Sequence, residues 1–325
     1  MGTEMKDFLE KSIPDLDRVL VSLIQKKESE KRKFVKGLLG AEFISFLLNG
    51  AIPYIKNGKK VRGNLVLAGY CSVLGNRDYE KVINVGAAVE LLQGFILMHD
   101  DFMDKDELRR GHKTIHELAR DWASKRNLSD QIDNVHFGNC MATNLGSAFS
   151  YWGNMVMFQT EICPEVRIAA FEHLCSYFEI TAYGQIQDIL YEREVTLSEE
   201  EILGMAEWKT GEYTIAGPLV LGGILGGASE DQKNSMREYG LNVGVAFQIK
   251  DDIFDFEDSR SIGKPTGIDI KERKMTLPLI YLLNKSSRSE KRMIINLVKN
   301  HHDNPKKVRE LVEMVRQSGG MEYAA

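Results

Sequence analysis

The sequence predicts an all-α protein, and three observations carry that prediction. Apolar residues recur at helical spacing through most long segments, no run alternates at period two between turn dipeptides, and only seven prolines occur in 325 residues. The composition is that of an ordinary globular chain, 43% apolar and 27% charged. Lys and Arg total 42 against 47 Asp and Glu, a net charge of −5 that gives no reason to expect a nucleic-acid partner.

Taken in order, residues 1–30 carry Glu4, Lys6, Asp7, Glu10 and Lys11 and lack the apolar core of a signal peptide. Residues 83–98 are apolar nearly all round, as a central helix buried on every side would be. Residues 167–190 and 232–256 repeat apolar positions in threes and fours, and 277–283 opens another helix. Junctions are expected at Asn57-Gly58, Asn76, Pro164, Gly217-Pro218, 259–267 and Asn304-Pro305. The glycine-rich run 217–227 lacks the order of a phosphate-binding loop and follows no strand, so its small residues are read as close helix packing. No stretch reaches the ~18 uninterrupted apolar residues of a membrane span, so no integral membrane segment is expected. Cys71, Cys140, Cys163 and Cys175 show no CxxC spacing and are expected to be buried free thiols of a reducing cytoplasm. With neither linker nor repeat, one domain over 1–325 is expected, although the length alone suggests two.

Two acidic clusters of the form DDxxD follow apolar helical runs: Asp100-Asp101-Phe102-Met103-Asp104 and Asp251-Asp252-Ile253-Phe254-Asp255. On a helix, positions four apart share a face at about 5–6 Å, which pairs Asp100 with Asp104 and Asp251 with Asp255. Asp101 and Asp252 are rotated by ~100° and stand behind them. Clustered carboxylates repel, so something cationic belongs between them; hard oxygen donors favour Mg²⁺, which commonly borrows phosphate oxygens as further ligands. Basic residues stand in separate segments: Lys59, Lys60 and Arg62 in NGKKVRG, Arg109 and Arg110 in LRRG, Lys209 beside Thr210, and Lys264 and Lys274. Acid pairs with scattered Lys and Arg suit two diphosphate-bearing substrates. His112 and His116 lie four apart, but no neighbouring Cys or Glu completes a zinc set, so packing or polar contacts are the reading.

The order DDFMD–LRRG, then KT, then FQIKDDIFD and GKPTGIDIKERKMTLP, resembles the trans-isoprenyl diphosphate synthases (polyprenyl synthetases), in particular the short-chain farnesyl and geranylgeranyl type. The resemblance runs from about residue 57 to the C-terminus. It implies a large all-α bundle of long antiparallel helices around a central cleft that both acidic motifs face, usually as a homodimer. It further implies Mg²⁺, three ions with substrate bound, on Asp100, Asp104 and Asp251, supported by Asp101, Asp252 and Asp255. Arg109, Lys209, Thr210, Gln248, Lys264 and Lys274 would bind the allylic diphosphate. Lys59, Arg62, Gln93, Arg110, Tyr213 and Phe247 would bind isopentenyl diphosphate. The residues carrying catalysis would be Asp100, Asp104, Asp251, Arg109, Lys209 and Lys264. Phe95 and Ile96, five and four residues before Asp100, would limit the product to C15–C20.

The chain departs from the family pattern in places. Lys60 stands for the usual Arg, Gly63 for Pro, Ser147 for Asp after Gly146, and Arg273 for Gly before Lys274; the resemblance also leads one to expect one or two more helices at the C-terminal end. A longer-chain synthase and a non-catalytic subunit of a heteromeric synthase are the alternatives, though a subunit of that kind should have lost motif residues. A class I terpene cyclase shares the first motif, and Asp255 in a second DDxxD argues against it.

Overall fold

The computed structural model describes residues 3–31, 35–56, 58–126, 133–194, 197–257 and 266–325. Its contacts divide the chain into two compact units, residues 1–172 with 218–233, and residues 173–217 with 234–325.

The first unit opens with α1 (Thr3–Lys31), α2 (Leu38–Lys56) and α3 (Val61–Leu74), the last ended by Gly75 in the left-handed region. Helix α4 (Ile83–Met103) is its centre, packed against α1, α3 and α6 (Asn134–Gln159). Val85, Ala87, Ala88 and Val89 are fully buried, which bears out the reading of 83–98 as a core helix. A strand pair, β1 (Leu108–Arg109) and β2 (His112–Lys113), leads into α5 (Ile115–Lys125). This hairpin departs from the purely helical expectation. Arg110 (φ 54°) and Gly111 (φ 79°) form its two-residue turn, and both backbones are left-handed as such a tight turn requires. Arg-Gly is a weaker hairpin signal than Asn-Gly, so the sequence conceals it.

Helix α7 (Pro164–Tyr191) starts at the predicted proline and belongs to the first unit as far as residue 172. Residues 218–225 of α9 (Gly217–Leu225) pack on α3. A Cβ on Gly222 would lie 2.0 Å from the Val66 carbonyl, and one on Gly69 would lie 2.2 Å from that of Leu219, so these small residues do serve close packing.

In the second unit, α8 (Glu199–Ala206) begins with a reciprocal Ser198–Glu201 cap and continues into a π-helical segment, Glu207–Ala216. The break expected at Gly217-Pro218 is a change of helical pitch. Gly217 stays right-handed (φ −56°), and Pro218 falls in a first turn, where a missing N–H costs little. Helix α10 (Glu230–Phe254) carries the second acidic motif at its end. The short α11 (Ile268–Lys271) follows, then α12 (Leu277–Lys285), α13 (Arg288–Asn300), α14 (Pro305–Ser318) and α15 (Gly320–Ala324). These last helices bury Phe256, Leu279, Ile294, Leu311 and Val315 completely. Truncating a residue such as Phe256 to Ala would cost roughly 3–5 kcal/mol.

Two described helical spans, 38–56 and 80–103, are long and apolar enough to cross a membrane by length and composition, which the uninterrupted-run criterion passed over. The second is the buried core helix, with 67% of its apolar window inside the protein.

Candidate active site

In the first unit, Asp100 and Asp104 stand on the last turn of α4, where the Asp104 N–H donates to the Asp100 carbonyl at 2.8 Å. Helical geometry therefore holds to the end of the motif and keeps the two carboxylates on one face. Asp101 faces inward and is fully buried. The hairpin folds Arg109 back onto it: Arg109 Nε donates to Asp101 Oδ1 at 2.7 Å, and Nη2 bonds the same oxygen and reaches Asp106 at 3.1 Å. Burial pushes the Asp101 carboxyl up to about 6, against the pull of Arg109. Its second oxygen is buried with no hydrogen-bond partner.

Around the α2–α3 turn the structure gathers several predicted diphosphate binders. Arg110 Nη1 donates to the Tyr54 carbonyl at 2.8 Å, and its guanidinium lies where a Cβ on Gly58 would be 2.7 Å away. Burial pulls the Arg110 pKa down; Glu90 opposes this, while Arg109 and Arg62 add to it. Cations crowded against their own repulsion are what an anion site needs. Lys59 is exposed and Arg62 half-buried. Gln93 stands one turn beyond Glu90 on α4, and Glu90 itself accepts the Gly63 N–H at 2.8 Å. Phe95 is half-buried, its ring 4.7 Å from that of His99, whose Nε2 meets the Thr143 carbonyl of α6 at 3.2 Å. Ile96 is likewise half-buried. His112 is exposed on β2 while His116 is buried in the first turn of α5, its Nε2 3.6 Å from Glu117.

The second unit holds the other set. Lys209, on the π-helical segment, pairs with buried Asp188 of α7. Thr210 Oγ1 donates to Gln248 Oε1 at 2.7 Å, and Gln248 Nε2 donates to Asp252 Oδ1 at 2.8 Å. Asp251 is exposed, whereas burial pushes the Asp252 carboxyl up to about 7, opposed by the Gln248 bond and assisted by Asp251. Both oxygens of Asp255 accept backbone N–H groups at the start of α11, from Ile268 at 2.8 Å and Asp269 at 3.2 Å. Lys274 pairs with Glu272 at 2.6 Å. Tyr213 is buried edge-on against Phe178, and Phe247 is largely exposed. Lys264 lies outside the described residues.

A cavity of about 130 Å³, room for several waters or ions, is lined here by Asp188, Glu192, Asp251, Asp252 and Asp269 together with Lys209 and Lys274. Glu192 and Asp269 had no role in the sequence reading. Asp269 sits within the quoted GIDIKERK stretch and could have been singled out there. Burial, then Asp255 and Asp252, raises its carboxyl to about 8.

Among the described residues no three His, Cys, Asp or Glu side chains form a self-sufficient metal cage. Mg²⁺ needs no such cage: it is held by one or two carboxylates and completes its shell with water and substrate phosphate. The exposed Asp251 and the unpartnered oxygen of Asp101 are donors of the right kind.

Residues 46–315 match the Polyprenyl synthetase family. The geranylgeranyl diphosphate synthase of Saccharolobus solfataricus is 31% identical over 277 residues, covering 83% of this chain and 76% of its own. A short chain isoprenyl diphosphate synthase of Methanothermobacter thermautotrophicus is 32% identical over 268 residues, covering 82% and 75%. Among solved structures, the geranylgeranyl pyrophosphate synthase of Corynebacterium glutamicum, complexed with isoprenyl diphosphate and magnesium, superposes with a TM-score of 0.87 at 26% identity, over 97% of this chain and 88% of that one. By sequence, fold and motif order alike, the chain belongs to the polyprenyl synthetase family.

Proposed function

We propose that the chain condenses isopentenyl diphosphate head-to-tail with an allylic diphosphate, releasing diphosphate and a C15–C20 prenyl diphosphate. The observation that carries this is the pair of DDxxD helix ends, each with its middle aspartate buried, Asp100 one turn from Asp104 in the first and Asp251 exposed in the second. Asp100, Asp104 and Asp251 hold Mg²⁺, three ions per site, with Asp101, Asp252 and Asp255 supporting. When bound, Mg²⁺ supplies Lewis-acid stabilisation of the departing diphosphate.

The protein's own groups do the rest. Lys59, Arg62, Gln93 and Arg110 hold isopentenyl diphosphate with its double bond facing the allylic carbon, an orientation effect. Arg109, Lys209, Thr210, Gln248, Lys264 and Lys274 stabilise charge as it builds on the leaving diphosphate. The carbon–oxygen bond to that diphosphate breaks, the double bond supplies the electron pair for the new carbon–carbon bond, and a proton leaves to the released diphosphate. Tyr213, buried against Phe178, and Phe247 complete the isopentenyl diphosphate site.

The working form is a cytoplasmic homodimer. An exposed apolar stripe on α6, Tyr151, Met155 and Phe158 at helical spacing, with Ile168 beyond it, suits a second copy. The test is incubation of the protein with Mg²⁺, isopentenyl diphosphate and dimethylallyl, geranyl or farnesyl diphosphate, followed by sizing of the products. Growth to C15–C20 supports the reading. Products beyond C20 indicate a longer-chain synthase, and no elongation from any primer indicates a non-catalytic subunit.

A further inference from the structure

Among the described residues four non-glycine positions have left-handed backbone: Lys60 (φ 51°), Lys105 (φ 60°), Arg110 (φ 54°) and Arg273 (φ 62°). Each is a proposed diphosphate or metal residue or its immediate neighbour. Such strain persists only where surrounding contacts over-determine it, and it clusters at functional sites. Lys60 is the best determined of the four. It stands between Lys59 and Arg62, yet its side chain is fully buried where Lys59 is exposed. An ammonium so enclosed does not meet a diphosphate.

Its partners show what it does instead. Lys60 Nζ donates to the Ile55 carbonyl and to that of Lys56 at 3.1 Å, both in the last turn of α2, where a cation is favoured. It approaches the Gly58 carbonyl at 3.4 Å and pairs with Asp17 of α1 at 2.9 Å. The Lys60 carbonyl accepts from the Asn64 N–H at 2.9 Å and from Asn64 Nδ2 at 2.7 Å. Asn64 Oδ1 in turn accepts from the buried Ser12 hydroxyl of α1. Glu90 of α4 fixes the next backbone N–H, that of Gly63. The turn is thus tied to three helices, and both ends of Lys60 lead to α1.

We propose that Lys60 and Asp17 form a buried strut that holds the left-handed turn and thereby aims Lys59 and Arg62 at isopentenyl diphosphate. Lys60 is a positioning residue, and α1 takes part in substrate binding without touching substrate. This rests on the assignment of Lys59 and Arg62 in the proposed function.

The test compares Lys60→Met, Lys60→Arg and Asp17→Asn with the unaltered chain, measuring separate KM values for isopentenyl diphosphate and the allylic primer, kcat, and the thermal midpoint. Lys60→Met should raise the KM for isopentenyl diphosphate about tenfold, as loss of alignment does, and leave the allylic KM within about twofold. Asp17→Asn should shift the same KM in the same direction. Lys60→Arg should recover most of the loss, because a guanidinium can still reach the carbonyls and Asp17. Equal rises in both KM values, or a lower thermal midpoint with both unchanged, would overturn the strut. If Lys60→Met does not fold, Asp17→Asn decides alone: an unchanged isopentenyl diphosphate KM overturns the inference. No elongation by the unaltered chain would instead refute the proposed function, so the two failures are distinct.

Discussion

The two acidic motifs share a pattern but are neutralised differently. Each buries its middle aspartate. In the first unit Asp101 lies against a cation, Arg109, delivered by the hairpin; in the second, Asp252 lies against a neutral amide, Gln248. The carboxyls respond accordingly: burial raises Asp101 to about 6, but Asp252 to about 7 and its neighbour Asp269 to about 8. The first motif carries its own counter-charge. The second gathers five carboxylates around a cavity with two lysines, and is left short of positive charge until a cation or proton arrives.

The largest effect expected is on activity. Asp100→Ala and Asp251→Ala should each lower elongation by ~10²–10³-fold or more, with helicity by circular dichroism unchanged. If one variant stayed active, the motifs would not be equal partners. Stability should distinguish them next. Arg109→Met leaves the fully buried Asp101 unpaired and should cost roughly 3 kcal/mol in urea unfolding. Gln248→Leu removes a neutral donor to Asp252 and the acceptor of the Thr210 hydroxyl, and should cost about 1–2 kcal/mol. Equal losses would erase the contrast.

A smaller effect concerns pH. Between the usual carboxyl value of 3.8 and about 8, the folded chain keeps a proton on Asp269 that the unfolded chain gives up. Stability without metal should therefore fall as pH rises through that window. Mg²⁺ should raise the thermal midpoint more at pH 8.5 than at pH 5.5, and Asp269→Asn should flatten the metal-free slope. A midpoint that rises with pH in this range would refute the charge imbalance. The mildest change belongs to the first unit alone. Phe95→Ala should lengthen the product by an isoprene unit or more, read by chromatography, with little change in rate; unchanged chain lengths would exclude Phe95 as the floor.

Much of this was legible in the residues because it depends on local spacing. The period of 83–98 marked the core helix, and DDxxD placed Asp100 and Asp104 one helical turn apart. What stayed hidden depends on contacts distant in sequence. Spacing alone does not say which basic residue of KKVR turns inward, since the Lys60 ammonium pairs with Asp17, some forty residues earlier. Nor does it show that Asp255 caps α11, or that Arg109 folds back onto Asp101 through a two-residue turn. The π-helical pitch over Glu207–Ala216 goes with a close approach of backbones, in which a Cβ on Gly244 would lie 2.5 Å from the Gly211 Cα. A periodicity read along one strand of sequence does not contain that neighbour.

Titration calorimetry with a non-reactive allylic thiolodiphosphate, with and without Mg²⁺, tests the role proposed for the two motifs without relying on turnover. Binding should require Mg²⁺ and should be lost in both Asp100→Ala and Asp251→Ala. Tight binding without metal, or binding that survives in either variant, would contradict a diphosphate held through metal by both motifs.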